Sequence, residues 1–203
     1  MNTRLQVEHP VTEAVTGLDL VQMQIMAAAG HPLPLKQEDI TVSGHAIECR
    51  ICAEDPEQDF FPETGAVLAM TPPHSSRIRL DHGLAEGQAV TSNFDSMLAK
   101  LITHGDSREA AIELSIAALQ ELTLLGVVTN IDYLARLIDH PDFRAGRIHT
   151  GFVTEHAADL ALPSAALEDR DAAIIAAALS SREFRALAFD IPEPYASIGG
   201  WRN

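Results

Sequence analysis

Four polar side chains at alternate positions open the chain: Asn2, Arg4, Gln6 and Glu8, separated by Thr3, Leu5 and Val7. A period of two is that of a strand, so this stretch is expected to carry hydrogen-bonding groups on one face and apolar groups on the other. A guanidinium between two carboxamides suits a small oxyanion, and a carboxylate on the same face adds an acid/base group beside it. An ordinary solvated strand face shows the same alternation, so spacing alone leaves both readings open. Arg50 is the second candidate. In Gly44–Ala53, Ile47, Cys49 and Ile51 face one way, and Ala46, Glu48, Arg50 and Cys52 the other. On this segment alone, a surface arginine paired to Glu48 is the favoured reading.

Other reactive types are present but poorly arranged. Cys49-Arg50-Ile51-Cys52 has the CxxC spacing of a redox pair or half a zinc site. Residues three apart on a strand point to opposite faces, so the sulfurs should diverge, and no second CxxC or HxxxH completes a tetrahedral set. Structural cysteines are expected. The nine histidines are scattered, with no metal-ligand spacing beside a supporting carboxylate. His9 is placed to orient Glu8, although a loop histidine before proline is the plainer reading. Asp95 and Lys100 suggest a turn cap or a structural ion pair. No Ser-His-Asp elbow, phosphate-binding glycine loop or dinucleotide fingerprint occurs.

The elements that must position these residues fall into blocks. After the opening strand, His9-Pro10 should break the extended run, and Thr12–Thr16 make a short helical turn stopped by Gly17. Asp19 reads as the N-cap of a helix through Ala29, with Gly30 as its stop. From Thr41 to His104 the grammar is that of short strands: Gly44–Ala53, Ala66–Thr71, Arg77–Leu80, Gln88–Val90 and Met97–Thr103. Ser107 caps a helix expected over Arg108–Leu125, ended by Gly126, and a second runs over Asn130–Asp139 before Pro141. Asp142–His149 reads as a loop or short strand, and Gly151–Leu160 as a last helix. Beyond Pro163 comes an alanine-rich helix, Ala165–Phe189, and a Pro/Gly tail with Trp201.

The totals bound the class. A chain of 203 residues with 46% hydrophobic content can bury a real core. The formal charge of −15 argues against nucleic acid or an anionic membrane as main partner, while leaving room for a local basic pocket. Two cysteines make no disulfide framework and suit a reducing compartment. The N-terminus lacks a signal-peptide core. The longest apolar run, Ala172–Leu179, falls far short of the ~20 residues that span a bilayer. A cytoplasmic or organelle-matrix protein is expected.

Longer motifs carry a resemblance. Asn2-Thr3-Arg4-Leu5-Gln6-Val7-Glu8-His9-Pro10-Val11-Thr12-Glu13 resembles the signature of biotin carboxylases, of the ATP-grasp superfamily. It continues through Gly44–Pro56 (GHAIECRICAEDP), Phe94–Ile102 (FDSMLAKLI) and Thr129-Asn130-Ile131-Asp132, covering roughly Met1 to Leu160. The tail Gly199-Gly200-Trp201-Arg202 is similar to the connector of acyl-CoA carboxylase α chains of the methylcrotonyl- or propionyl-CoA type. The implied fold is α+β: residues 1–40 as a strand and helices of an ATP-grasp core, 41–162 as the biotin carboxylase C-terminal domain, and 163–203 as a helical connector.

Such enzymes use MgATP (or MnATP) to activate bicarbonate as carboxyphosphate and then carboxylate the ureido nitrogen of biotin on a carrier domain. By resemblance, Asn2 matches a metal ligand. Arg4 matches the arginine that grips bicarbonate, with Gln6 and Val7 in the same cradle. Glu8 matches the general base, and Arg50 the arginine that holds the ureido oxygen of biotin. Ile148 matches an adenine-pocket position. The resemblance implies as partners an ATP-grasp portion preceding Met1, a biotin carboxyl carrier domain, a carboxyltransferase subunit and a second copy of the chain. Nucleotide-binding lysines, the glycine-rich lid and the Ala-Met-Lys-Met biotinylation motif are not in this sequence, so the chain alone is expected neither to bind ATP well nor to turn over. The rival expectation is a non-catalytic interaction or dimerisation module, with Arg79 at its interface, or a gene remnant.

Overall fold

The computed structural model describes residues 3–161 and 167–180, and the chain divides into two compact units, Met1–Leu162 and Pro163–Asn203. Two helices open the first unit: α1 (His9–Thr16) and α2 (Leu20–Ala28). Pro10 fits in the first turn of α1, where a missing N–H costs nothing, and Gly17 ends the helix in the left-handed conformation at φ 72°. The Asp19 carboxylate caps α2 by accepting the Gln22 N–H at 2.8 Å.

Strands follow: β1 (His45–Cys52), β2 (Glu54–Asp55), β3 (Phe61–Pro62), β4 (Gly65–Ala66), β5 (Ala69–Thr71), β6 (Ile78–His82), β7 (Ala89–Val90) and β8 (Met97–Gly105). Then come α3 (Arg108–Glu121), β9 (Thr123–Leu125), α4 (Ile131–Asp139), α5 (Pro141–Arg144), α6 (Phe152–Glu155) and α7 (Ala157–Leu160). In the second unit, α8 covers Leu167–Ser180. No described helix is long and apolar enough to cross a membrane.

The centre is an antiparallel sheet in the order β1-β8-β6. Its register places Arg50 opposite Lys100 and Lys100 opposite Asp81 in one row, with Glu48, Ile102 and Arg79 in the next row on the same face. The opposite face supplies Ile47, Cys49, Ile51, Ala99 and Leu101 to a core completed by Ala111, Ile112, Ala118 and Leu119 of α3 and Ile131 and Ile138 of α4. Thr103 and Ser115 bring hydroxyls into that core and satisfy each other at 2.6 Å. α1 lies against β1 and β8 on the Arg50–Lys100 face. Helices therefore cover both faces of the sheet, and the architecture is α+β.

Several expectations are corrected. Residues 3–8 form no strand: a turn occupies Val7–Glu8, α1 begins at His9, and Leu5 is 45% exposed instead of facing a core. A strand needs a neighbour for its backbone groups, and here the His9 N–H closes back on the Gln6 carbonyl. The helical turn expected over Thr12–Thr16 begins earlier, with His9-Pro10 as its first residues. The helix expected over Arg108–Leu125 stops at Glu121, because Thr123–Leu125 pairs with Ala69–Thr71 as a strand. Its apolar residues satisfied either period, and strand pairing decided between them. Asp142–His149 holds most of a short helix at its start, and Gly151–Leu160 is two short helices that meet at His156. The helix expected over Ala165–Phe189 is described only as Leu167–Ser180; the tail with Trp201 lies outside the described residues.

Candidate active site

The sheet and α1 bring together side chains that are far apart in sequence. Glu8 is the N-cap of α1, yet its carboxylate makes no capping bond. Instead Glu8 Oε2 accepts from Arg50 Nη2 at 2.9 Å, across 42 positions of chain. Both side chains are about half exposed, at 54% and 52%, so the pair faces an open surface and is worth at most about 1 kcal/mol of stability. A guanidinium with its stem on a strand and its head beside a carboxylate offers further N–H groups to a planar anion or carbonyl.

Two further contacts dock α1 and its leading turn to the sheet around that pair. Lys100 Nζ donates to the Val7 carbonyl at 3.0 Å and stands 3.8 Å from Asp81. Arg79 donates to Asp81 through Nε and Nη2, and to Glu13 through Nη1, each at 2.8 Å. The other oxygen of Glu13 accepts the Leu20 N–H at 2.8 Å, so this carboxylate joins α1, the start of α2 and β6. Hydrogen bonds from Arg79 hold the Asp81 carboxyl below the usual range against the opposing effect of burial.

Glu48 behaves differently. It does not pair with Arg50, as the segment alone suggested; both its carboxylate oxygens are buried without a hydrogen-bond partner. Burial pushes its carboxyl up, with Lys100, Arg50 and His9 pulling the other way and Glu8 adding to the rise. His9 itself turns Nδ1 to the Gln6 carbonyl at 2.7 Å and so fastens the turn ahead of α1.

Asn130 fixes the backbone under Arg50. Its Nδ2 donates to the Arg50 carbonyl at 3.1 Å, its Oδ1 accepts the Cys52 N–H at 2.9 Å, and its own N–H donates to the Cys52 carbonyl at 3.2 Å. The β1–β8 ladder slips between Ile51 and Cys52, and the carboxamide acts there as a substitute neighbour for β1. Asparagine can do this because it offers both a donor and an acceptor on one short side chain.

The remaining sequence candidates separate. Arg4 and Gln6 are exposed on the segment before α1, and the Val7 carbonyl is engaged by Lys100. Asn2 lies outside the described residues. Ile148 stands 50% exposed on the loop after α5. Cys49 is buried and Cys52 half-buried, both free, and burial pushes the Cys49 thiol up to about 12. Asp95 caps the turn at Met97, accepting its N–H at 2.8 Å, while Lys100 pairs with Asp81. Sequence reasoning did not foresee the buried, unpaired carboxylate of Glu48, the bonds from Asn130 to β1 or the tie from Lys100 to Val7. The one available signal was that Arg50, Glu48 and Lys100 are charged residues on strands that also carry core residues.

Spacing also gave no hint of a histidine cluster. Among the described residues, His140, His156 and Asp159 hold potential ligand atoms within 4.8 Å of one another. The His140 Nδ1 accepts the Asp142 N–H at 3.2 Å, which leaves the proton of the neutral ring on Nε2, facing Asp159 at 3.9 Å. His156 stands 3.3 Å from Asp142, and both rings pack against Phe152. These groups are partnered among themselves, as a polar network that joins α5, α6 and α7.

The chain is similar to known proteins over most of its length. Residues 1–36 match the ATP-binding domain of the carbamoyl-phosphate synthase L chain, and residues 48–155 the biotin carboxylase C-terminal domain. The mitochondrial methylcrotonoyl-CoA carboxylase subunit alpha of Dictyostelium discoideum is 40% identical over 205 residues, covering 100% of this chain and 29% of that protein. The biotin carboxylase of Halalkalibacterium halodurans is 49% identical over 156 residues, 77% of this chain and 34% of that one. Among solved structures, the biotin carboxylase domain of a thermophilic 2-oxoglutarate carboxylase bound to bicarbonate superposes with a TM-score of 0.77 at 41% identity, over 80% of this chain and 37% of that one. The biotin carboxylase subunit of pyruvate carboxylase gives 0.78 at 45% identity, over 80% and 36%. The chain thus spans about a third of the length of these relatives. With one family's domain matched over more than half of its 203 residues, and that domain's fold reproduced at these identities, the chain belongs to the biotin carboxylase family.

Proposed function

We propose that this chain supplies the bicarbonate- and biotin-facing part of an ATP-dependent biotin carboxylase serving acyl-CoA carboxylation. The observation that carries this reading is the Glu8–Arg50 contact at 2.9 Å. It joins the segment matching an ATP-binding domain to the segment matching the biotin carboxylase C-terminal domain. Glu8 is the general base: its carboxylate takes the bicarbonate proton as a bicarbonate oxygen attacks the γ-phosphorus of ATP held by the rest of the assembly and ADP leaves. Arg4 grips the anion, with Gln6 and Val7 beside it. Arg50 then donates to the ureido oxygen of biotin as negative charge develops there, a stabilisation of oxyanion-hole type. The Glu8–Arg50 contact holds the two groups side by side before substrate arrives.

The described residues do not make a magnesium site. Magnesium leans on one or two carboxylates plus phosphates, and the Glu8 carboxylate here is engaged by Arg50. No step is therefore routed through a metal held by this chain, and nucleotide binding is assigned to the rest of an ATP-grasp domain. Support for that partner comes from α2, which has no buried residue and leaves Ile25 65% exposed within a segment that matches an ATP-binding domain. A carrier domain bearing biotin, a carboxyltransferase subunit and a second copy of the chain complete the proposed partners. Asn2 and Ile148 are assigned to metal and adenine only as parts of that assembly.

The test is complementation. An ATP-grasp portion is supplied in trans, and ATP-dependent carboxylation of free biotin is measured. Activity that needs both parts and is abolished by Glu8→Gln and by Arg50→Ala is the expected result. A restored activity indifferent to both substitutions would refute the assignment.

A further inference from the structure

A base that is half exposed and held by one surface ion pair is poorly fixed, whereas a catalytic group must be held to within about 0.5 Å. Something else must hold Glu8. The tie from the sheet to the peptide that carries it comes from Lys100, whose side chain is only 13% exposed and whose ammonium donates to the Val7 carbonyl at 3.0 Å. Val7 immediately precedes Glu8, and the pair forms the turn that opens α1.

Lys100 stands in the middle strand of the sheet, directly opposite Arg50 on one side and Asp81 on the other. Arg50 and Lys100 are thus neighbouring cations, which repel unless counter-charge lies close. Asp81 supplies part of it at 3.8 Å. Once ionised, Glu48 supplies the rest: it shares the face, one row along, and its buried carboxylate interacts with both Lys100 and Arg50 while neither of its oxygens has a hydrogen-bond partner. A buried carboxylate kept without a hydrogen bond is costly and calls for an explanation. Neutralising two adjacent cations is one.

We propose that Lys100 is the positioning residue for the base Glu8, and that Glu48 and Asp81 are the counter-charges that let Lys100 stand beside Arg50. Lys100 touches no reacting atom; it fixes the Val7–Glu8 turn so that the Glu8 carboxylate meets Arg50. This rests on the reading of Glu8 as general base, but its first test does not.

That test is amide hydrogen exchange on the purified chain. The Val11 N–H closes the first turn of α1 on the carbonyl of Glu8 at 3.1 Å, so its protection reports how firmly the turn is held. Lys100→Met, which keeps the stem and removes the charge, is expected to speed exchange at Val11 at least tenfold and leave Leu119 in α3 unchanged. Lys100→Arg is expected to restore protection. Unchanged exchange at Val11 would overturn the proposal, and so would equal loss at Val11 and Leu119, which would make Lys100 a general fold residue. Should Lys100→Met fail to fold, Glu48→Gln decides: faster exchange confined to Val11 supports the coupling, and none overturns it. In the complementation assay, Lys100→Met is expected to lower kcat at least tenfold with KM for ATP unchanged. A change in KM alone would overturn the positioning role. If Glu8→Gln proves fully active while Lys100→Met still frees Val11, the base assignment fails and the structural tie stands.

Discussion

Replacing Asn130 with alanine tests how the backbone under Arg50 is held. The substitution removes two hydrogen bonds, to the Arg50 carbonyl and from the Cys52 N–H, and leaves the Asn130 backbone bond to Cys52 in place. Asn130 is 7% exposed, so water enters poorly and the released donor and acceptor are left partly unsatisfied. Each net bond contributes about 1 kcal/mol, and an unsatisfied buried group costs about 1–3, so a loss of about 2–4 kcal/mol is expected. For a chain of this size that lowers the thermal midpoint by roughly 5–15 °C. Urea unfolding followed by circular dichroism reads the change directly. Asn130→Asp sharpens the test. It keeps an acceptor for Cys52 but sets an oxygen against the Arg50 carbonyl, so it should be as damaging as alanine at neutral pH. Protonation restores a donor, and its stability should partly return in acid. A loss below about 0.5 kcal/mol for Asn130→Ala would refute the reasoning, because two buried bonds cannot vanish at so little cost.

Other predictions follow from the same geometry. Burial raises the Glu48 carboxyl above its ordinary value of 4.5, so the folded chain holds that proton more tightly than the unfolded one. The stability so gained is complete below the unfolded value and lost as pH rises through the folded one. Glu48→Gln should therefore gain on the parent chain as pH goes from about 4 to about 7, and parallel unfolding curves at all pH values would contradict this. Cys49, with its thiol pushed up to about 12 in the core, should resist iodoacetamide in the native chain and react on unfolding, while half-buried Cys52 reacts first. Equal native rates by mass spectrometry would count against the described β1. At Gly126, φ is 102° and a Cβ would stand 2.0 Å from the Ala66 carbonyl oxygen. Gly126→Ala should cost more than about 2 kcal/mol and disrupt the β5–β9 connection, measured by denaturation.

Much of this protein was legible in its sequence. Alternation in Gly44–Ala53 placed Ile47, Cys49 and Ile51 in the core and Arg50 outside, because the two-residue period of a strand leaves no other choice once one face is buried. Asp19, Ser107 and Gly17 marked helix ends through local backbone chemistry, which needs no tertiary partner. Motif resemblance identified the family. What sequence could not give was the opening strand's fate. Its alternation was real, but a strand exists only through hydrogen bonds to a neighbour, and residues 3–8 take up a turn into α1 instead. Nor could it show that Arg50 would leave Glu48 for Glu8, that Lys100 would reach Val7 across 93 positions, or that Asn130 would complete β1. Those contacts depend on register and on which helix covers which face. The chain's residue types decided which charges are available to the site, and only the packing of α1 on the sheet decided which of them meet.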